Sequence, residues 1–187
     1  MNYADWHIPL SQGDLTLQQG LDSLTAVGAR QQEIPLIVRL LENPRYHLPG
    51  VTLFHGAVDL EQHDRIHILL GRGLLTADEA FTIGFTMGST KRVHCPEAWL
   101  FGVLARRAYP PPYRFDAAAV RIFHDAVRLG GISVCQALDR IDFPRVTDLP
   151  LREIRRQVGL EEDLLLACYR IEQTRYPQSR ASRRLLE

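Results

Sequence analysis

The chain has 187 residues and a formal net charge of zero at pH 7, and 45% of its residues are hydrophobic. The length fits one domain, and the composition is typical of a soluble globular protein. The zero net charge argues against a nucleic-acid partner, and no apolar run approaches the roughly 18 residues that span a bilayer.

Apolar residues recur at helical spacing through most of the chain. After an irregular lead-in over residues 1–14, this pattern predicts helices over 15–27, 34–41, 53–70 and 76–87. A turn is predicted over 46–50. Glycine and proline residues mark where the helices stop: Gly28, Asn43-Pro44, Gly71-Arg72-Gly73 and Gly88.

The second half of the chain is also predicted to be helical. Pro96 suits the first turn of a helix over 96–109, and Asp116 is the predicted cap of a helix that ends at Gly130-Gly131. Further helices are expected over 132–138, 151–158 and 161–176, with a loop over 142–148. Strand signals are limited to short extended pieces at 51–53 and 91–93.

These elements predict an all-α, single-domain bundle of about six to nine helices. The lead-in over 1–14 precedes a single helical domain over 15–176, and residues 177–187 are expected to form a flexible, arginine-rich tail. The sequence leaves the oligomeric state open, and a homo-oligomer is compatible with it.

The cysteine pattern and the N-terminus predict where the protein resides. Cys95, Cys135 and Cys168 are far apart, which indicates a reducing compartment rather than a disulfide framework. The first ten residues match neither a secretory signal nor an arginine-rich transit peptide. We therefore predict a cytoplasmic protein, with peripheral contact at the inner face of the cell membrane, where tail arginines would meet anionic lipid.

The stretch from Gln62 to Phe85 carries a pattern typical of a metal site. His63 and His67 are four residues apart, so their rings lie on one helix face. Asp64 is rotated by about 100° from His63, and it either reaches the same ion or orients a ligand imidazole. The break at 71–73 lets the chain turn back and bring Glu79 beside the first helix. This ligand set suits zinc, with iron or manganese as alternatives.

The spacing H-D-x-x-H, followed by eleven residues and a glutamate, resembles the signature of the coenzyme Q biosynthesis protein 4 family. His63, Asp64, His67 and Glu79 match that signature position for position. The segments 69–71 and 151–160 are also similar to the family pattern, and the resemblance covers roughly residues 30–160.

The resemblance implies an all-helical protein of ubiquinone biosynthesis that binds zinc through these four residues, which are then also the candidate catalytic residues. It implies removal of the ring carboxyl group from a prenylated 4-hydroxybenzoate derivative, with hydroxylation there, and an apolar cavity that holds a polyprenyl lipid. Other quinone-biosynthesis enzymes and the membrane surface are the implied partners.

The chain departs from the family pattern in three ways. It has no mitochondrial leader, which suggests a bacterial member, and it begins close to its first helix. It also carries an additional segment over 161–187, where the family usually ends. Because of this segment, the partner surface and the substrate of the family do not transfer directly to this chain.

Three functions are compatible with this pattern. The first is a zinc-dependent lyase-type enzyme of quinone biosynthesis, and the second is a non-catalytic lipid-binding scaffold with a structural metal. The third is a metal phosphohydrolase of the His-Asp type. That class would recruit His47 or His55 and Asp116 or Asp125, and it leaves the spacing to Glu79 unexplained.

Several of these residues also have an ordinary structural interpretation. Thr76 to Glu79 reads as a capping box, in which Glu79 accepts from the backbone N–H of Thr76, and the residues alone favour that role. His55 and Asp59 precede His63 and His67 at the same four-residue spacing, and they are interpreted as a polar extension of that helix face. The pair His124-Asp125 is interpreted as part of a solvated helix face. The pair His94-Cys95 is interpreted as a weak candidate for metal ligation. The apolar residues within 81–87 and 99–104 fit either an ordinary core or a prenyl cavity.

Overall fold

The structure, a computed structural model, describes residues 3–27, 54–111 and 113–187. These ranges contain eight α-helices: α1 Leu17–Ala26, α2 Leu60–Leu70, α3 Thr76–Ser89, α4 Cys95–Arg107, α5 Ala117–Ile132, α6 Leu151–Val158, α7 Glu162–Arg175 and α8 Arg180–Arg183. Within them no β-strand forms, and an isolated backbone bridge joins Thr16 to Pro150. The predicted all-α class is therefore confirmed. The helix predicted over 34–41 and the turn over 46–50 lie outside the described residues.

The helix α2 begins later than the sequence predicts, at Leu60 rather than residue 53. Asp59 is its N-cap, and the backbone N–H of Gln62 donates to the Asp59 carboxylate at 3.0 Å. Gly56 has a φ of 78°, which a helix does not tolerate. His55 and Asp59 therefore do not extend the helix face that carries His63 and His67, and that part of the prediction is wrong.

The end of α2 is buried, so its last carbonyl groups need partners from elsewhere in the chain. Arg155 of α6 donates from Nε to the carbonyl oxygen of Leu69 at 2.9 Å. The hydroxyl of Tyr169 on α7 donates to the carbonyl oxygen of Leu70 at 2.6 Å. The helices α6 and α7 thus hold the helix that carries both histidines.

The helices α3 and α5 touch through their backbones. A Cβ at Gly88 would lie 2.1 Å from the carbonyl oxygen of Val127, and one at Gly130 would lie 2.4 Å from that of Phe85. Only glycine allows this approach. The predicted helix end at Gly130-Gly131 is therefore wrong, because Gly130 is a packing residue and α5 continues past it.

Aromatic rings pack together where Phe54 meets the helices α4 and α5. The Phe101 ring packs edge-on against Phe54 at 5.2 Å and stacks on Phe123 at 5.1 Å between centroids. The apolar cluster predicted from the sequence is buried or partly buried except at two positions of α4: Trp99 is 63% exposed and Leu100 is 45% exposed. The core interpretation is wrong for those two residues.

The remaining helix predictions have mixed outcomes. The helices α6 and α7 form where predicted, separated by Gly159 with a φ of 71°. The helix expected over 132–138 does not form, since residues 134–137 are irregular, and residues 91–93 are not a strand. Within the described ranges, no helix combines the length and the apolar character needed to cross a membrane.

The C-terminal segment is not the flexible tail that the sequence predicts. Residues 180–183 form the short helix α8, and Ala181 and Leu185 are each 1% exposed. The guanidinium of Arg184 is also buried, and its Nη1 donates to the carbonyl oxygen of Ala4 at 2.9 Å. This segment closes the fold against the N-terminal residues.

Candidate metal centre

Three of the four predicted ligands converge at the joint of α2 and α3. The Nε2 atoms of His63 and His67 are 2.8 Å apart. The Oε2 atom of Glu79 lies 2.9 Å from His63 Nε2 and 3.3 Å from His67 Nε2. The imidazole of His67 is fully buried, whereas the Glu79 side chain is 26% exposed, so the cluster opens to solvent on the glutamate side.

The capping role that the sequence assigns to Glu79 belongs to its neighbour. The backbone N–H of Leu75, the N-cap of α3, donates to Oδ2 of Asp78 at 3.1 Å. Because Asp78 caps the helix, Glu79 is available to face the imidazoles. The prediction of a Thr76–Glu79 capping box is therefore corrected by one residue.

The side chain of Thr82 contacts the His67 ring on the side away from the cluster. Its Oγ1 lies 3.3 Å from His67 Nδ1. With Nδ1–H donating to this hydroxyl, the Nε2 atom carries its lone pair toward His63 and Glu79. Thr82 was missed by the sequence reasoning, although its position three residues after Glu79 places both side chains on one face of α3.

The electrostatics of the cluster keep the glutamate ionised. Burial alone would raise the pKa of Glu79, but the imidazoles of His67 and His63 outweigh burial and hold that pKa well below its usual range. The convergence of a carboxylate and two imidazole nitrogens is satisfied either by protons on the imidazoles, which donate to Glu79, or by a bound metal cation.

The donor set fits a first-row metal ion. The three ligand atoms all lie within 4.8 Å of one another. Ligands that share one zinc ion at about 2.0–2.1 Å are separated from each other by about 3.3 Å, and the observed separations run from 2.8 to 3.3 Å. Three protein ligands leave a coordination position for water or substrate, as in catalytic zinc sites.

Asp64 is the predicted ligand that the structure does not bring into this group. It lies half-buried on α2 next to His63. Burial raises the pKa of Asp64, and the nearby His63 and His67 imidazoles only partly offset this effect. Its surroundings thus differ from those of Glu79.

Of the residues that a His-Asp phosphohydrolase would recruit, Asp116 and Asp125 lie elsewhere in the described part of the chain, whereas His55 lines the same cavity as His63. His55 contacts Glu97 through Nδ1 at 3.0 Å. Asp116 caps α5, where the backbone N–H of Ala119 donates to it at 2.7 Å. Asp125 forms ion pairs with two surface arginines. His47 falls outside the described residues, and His94 and Cys95 are exposed at the start of α4.

Two cavities bear on what the centre could hold. The one beside His63 has a volume of about 20 Å³ and is lined by apolar groups that include Phe54, Ile83 and Met87. That volume accommodates about one water molecule. A larger cavity of about 280 Å³ lies between α5 and α7, and it shares no lining residue with the first. Neither of these two cavities is a lipid-sized chamber over the histidines, and the lipid chamber stays a prediction.

The sequence reasoning also missed a buried network of charges behind the centre. Arg72 donates to both carboxylate oxygens of Glu172, at 3.0 and 2.6 Å, and its guanidinium stacks on Phe81 at 3.7 Å. An arginine between two glycines had the appearance of a loop residue. Its partner lies 100 residues away, so no local pattern could reveal the pair.

No protein-family model matches the chain, and no curated protein or solved structure is significantly similar to it. The resemblance to the coenzyme Q biosynthesis protein 4 family therefore remains a prediction from motif spacing. Function has to be inferred from the site itself.

Proposed function

We propose that the protein binds a divalent metal ion through His63, His67 and Glu79 and acts in quinone biosynthesis on a prenylated aromatic precursor. The convergence of the three ligand atoms within 3.3 Å of each other carries the metal-binding part of this proposal. Zinc is the proposed metal because two imidazoles and a carboxylate form a common catalytic zinc set. Iron and manganese are the alternatives.

The chain's own residues prepare the centre for chemistry on a head-group oxygen. When bound, the ion would supply Lewis acidity to a carboxylate or phenolic oxygen of the head group. When the Thr82 hydroxyl accepts from His67 Nδ1–H, the Nε2 lone pair of His67 is available to bind the ion. The partly exposed Glu79 side leaves a path by which a substrate oxygen reaches the ligands.

The surface of α4 supports a peripheral membrane location at the inner face of the cytoplasmic membrane. Trp99 is 63% exposed, Leu100 is 45% exposed, and Arg106 and Arg107 at the end of the helix are also exposed. An aromatic ring with basic neighbours suits the interface between water and anionic lipid. Other quinone-biosynthesis enzymes are the proposed protein partners.

A non-catalytic scaffold with a structural metal is the second candidate. The observation that favours it is the size of the cavity beside His63, about 20 Å³, which is too small for an aromatic head group without movement of its lining. In this case the metal stabilises the joint of α2 and α3 and the protein holds its partners without turnover.

The test compares the wild-type chain with His67→Ala and with His94→Ala as the matched control. We expect one zinc ion per chain in the wild type and in His94→Ala, and none in His67→Ala, by metal analysis after dialysis and by calorimetric titration. Retained helical circular dichroism shows that the variants fold. Zinc-free wild type, or full binding by His67→Ala, contradicts the proposed centre.

An activity assay then separates the two candidates. A catalytic centre turns over a prenylated 4-hydroxybenzoate derivative in the metal-loaded wild type, and His67→Ala does not. A scaffold shows no turnover, although it binds the metal. Turnover by His67→Ala at the wild-type rate excludes a catalytic role for the centre.

A further inference from the structure

The buried C-terminal segment contacts the first turn of α3, which is the turn that carries Glu79. Arg184 donates from Nη2 to Oδ2 of Asp78 at 2.6 Å. Asp78 is fully buried and Arg184 is 8% exposed, so the ion pair is shielded from water. Charges paired in such surroundings are screened little by solvent.

Asp78 transmits this contact to the backbone beside Glu79. Its Oδ2 atom, which Arg184 contacts, also accepts the backbone N–H of Leu75 at 3.1 Å. The carbonyl oxygen of the same leucine accepts the backbone N–H of Glu79 at 3.0 Å. Arg184, Asp78, Leu75 and Glu79 thus form one continuous chain of hydrogen bonds.

The guanidinium of Arg184 packs against Gly73 in the turn between α2 and α3. A Cβ at Gly73 would lie 1.9 Å from Arg184 Nη2, so the guanidinium occupies the space that a larger residue would need. The other nearby cation, Arg72, is 3.8 Å from Asp78 and is bonded to Glu172. Arg184 is therefore the closer counter-charge for the buried Asp78.

We infer that Arg184 is a positioning residue for the metal centre: by pairing with Asp78, it fixes the first turn of α3 and sets the Glu79 carboxylate against the two imidazoles. This inference rests on the proposed metal-binding function. Without Arg184, the charge of Asp78 is buried beside a more distant arginine, and a buried charge that loses its partner drives local rearrangement. The cap on α3 and the position of Glu79 then relax together.

The test uses Arg184→Gln in the full-length chain, with Arg180→Gln as its control. Arg180 is 52% exposed and pairs with Asp5, so it samples the same segment without reaching α3. We expect zinc affinity to fall about tenfold in Arg184→Gln, as when groups that support metal ligands are removed. The visible spectrum of bound cobalt(II) changes with it, because Glu79 shifts. Affinity in Arg180→Gln stays within about twofold, as for exposed ion pairs.

A rescue variant separates positioning from loss of stability. Arg184→Lys keeps a positive charge near Asp78, and we expect it to recover part of the affinity and the wild-type cobalt(II) spectrum. Unchanged affinity and an unchanged spectrum in folded Arg184→Gln overturn the inference. If that variant does not fold, Asp78→Asn makes the same comparison, since its amide oxygen still accepts from Leu75 but lacks the charge.

A metal-free readout distinguishes failure of this inference from failure of the proposed function. If the wild type binds no metal, the function fails, and the imidazole nitrogen resonances of His63 and His67 then decide the role of Arg184. Resonances that move in Arg184→Gln and not in Arg180→Gln uphold the positioning role. Resonances that stay in place in both variants overturn it.

Discussion

Two acidic residues flank the histidine pair, and their surroundings differ. The Glu79 carboxylate contacts both Nε2 atoms, and its pKa is held low by the imidazoles against the effect of burial. Asp64 lies outside the convergent group, and burial raises its pKa. We therefore assign Glu79 to the ion and Asp64 to its surroundings.

This difference predicts unequal effects of neutralising the two acids. Glu79→Gln keeps the shape of the side chain but removes its charge, and we expect zinc affinity to fall at least about tenfold. Asp64→Asn should lower affinity less, with the stoichiometry kept at one ion per chain. Competition against a chromophoric chelator measures both. A larger loss in Asp64→Asn would mean that Asp64, and not Glu79, completes the ligand set.

At this scale the sequence predicts what is local. The histidine pair follows from four-residue spacing on one helix, which needs no knowledge of the fold. The choice between cap and ligand for Glu79 does not follow, because Asp78 is equally placed to cap α3. Arg184 pairs with Asp78 from 106 residues away, and no local rule anticipates that contact.

The backbones of α3 and α5 come into direct contact at glycine positions of both helices. Gly130 is buried in this contact, whereas a Cβ at Gly131 would have nothing within 4 Å. The two adjacent glycines thus have opposite surroundings in one helix. They form a matched pair for testing how tightly α3 is held.

Alanine at these two positions should change stability in opposite directions. Gly130→Ala forces a Cβ against the Phe85 carbonyl and should lower the free energy of unfolding by about 1–3 kcal/mol. Gly131→Ala should raise it by about 0.5 kcal/mol, since alanine favours the helix. Chemical denaturation gives both values. Equal effects would mean that the backbones are not in contact at Gly130.

Helix boundaries show where local patterns lose to tertiary contacts. The rule that paired glycines stop a helix fails at Gly130-Gly131, because the contact with α3 stabilises the helix through them. The helix α2 starts later than the apolar spacing predicts, because the turn at Gly56 and the cap at Asp59 precede it. Where a cap and a glycine agree with the spacing, as at Asp116 and Gly159, the predictions are confirmed.

At the level of the whole molecule, the C-terminal segment ties distant parts of the chain together. Arg184 bonds to Ala4 near the N-terminus and to Asp78 on α3. The hydroxyl of Ser182 donates to Glu172 at 3.0 Å, which in turn holds Arg72. An arginine-rich composition suggested a solvated tail, because the sequence does not show that its partners are buried acids.

Deleting residues 177–187 should therefore destabilise the whole domain. The deletion leaves Asp78 without its closer counter-charge, and breaking a buried ion pair from one side costs about 3–5 kcal/mol. We expect the midpoint of urea denaturation to fall accordingly. Removal of Glu187 alone, which is exposed, should change it little. A deletion that leaves the midpoint unchanged would show that the segment is not part of the folded core.

The most direct test of the metal centre is a crystal structure of the zinc-loaded protein with anomalous data collected at the zinc absorption edge. We expect one strong peak per chain, within about 2.0–2.2 Å of His63 Nε2, His67 Nε2 and a Glu79 carboxylate oxygen. A peak at His94-Cys95 instead, or no peak beside the histidine pair, would contradict the proposed metal centre.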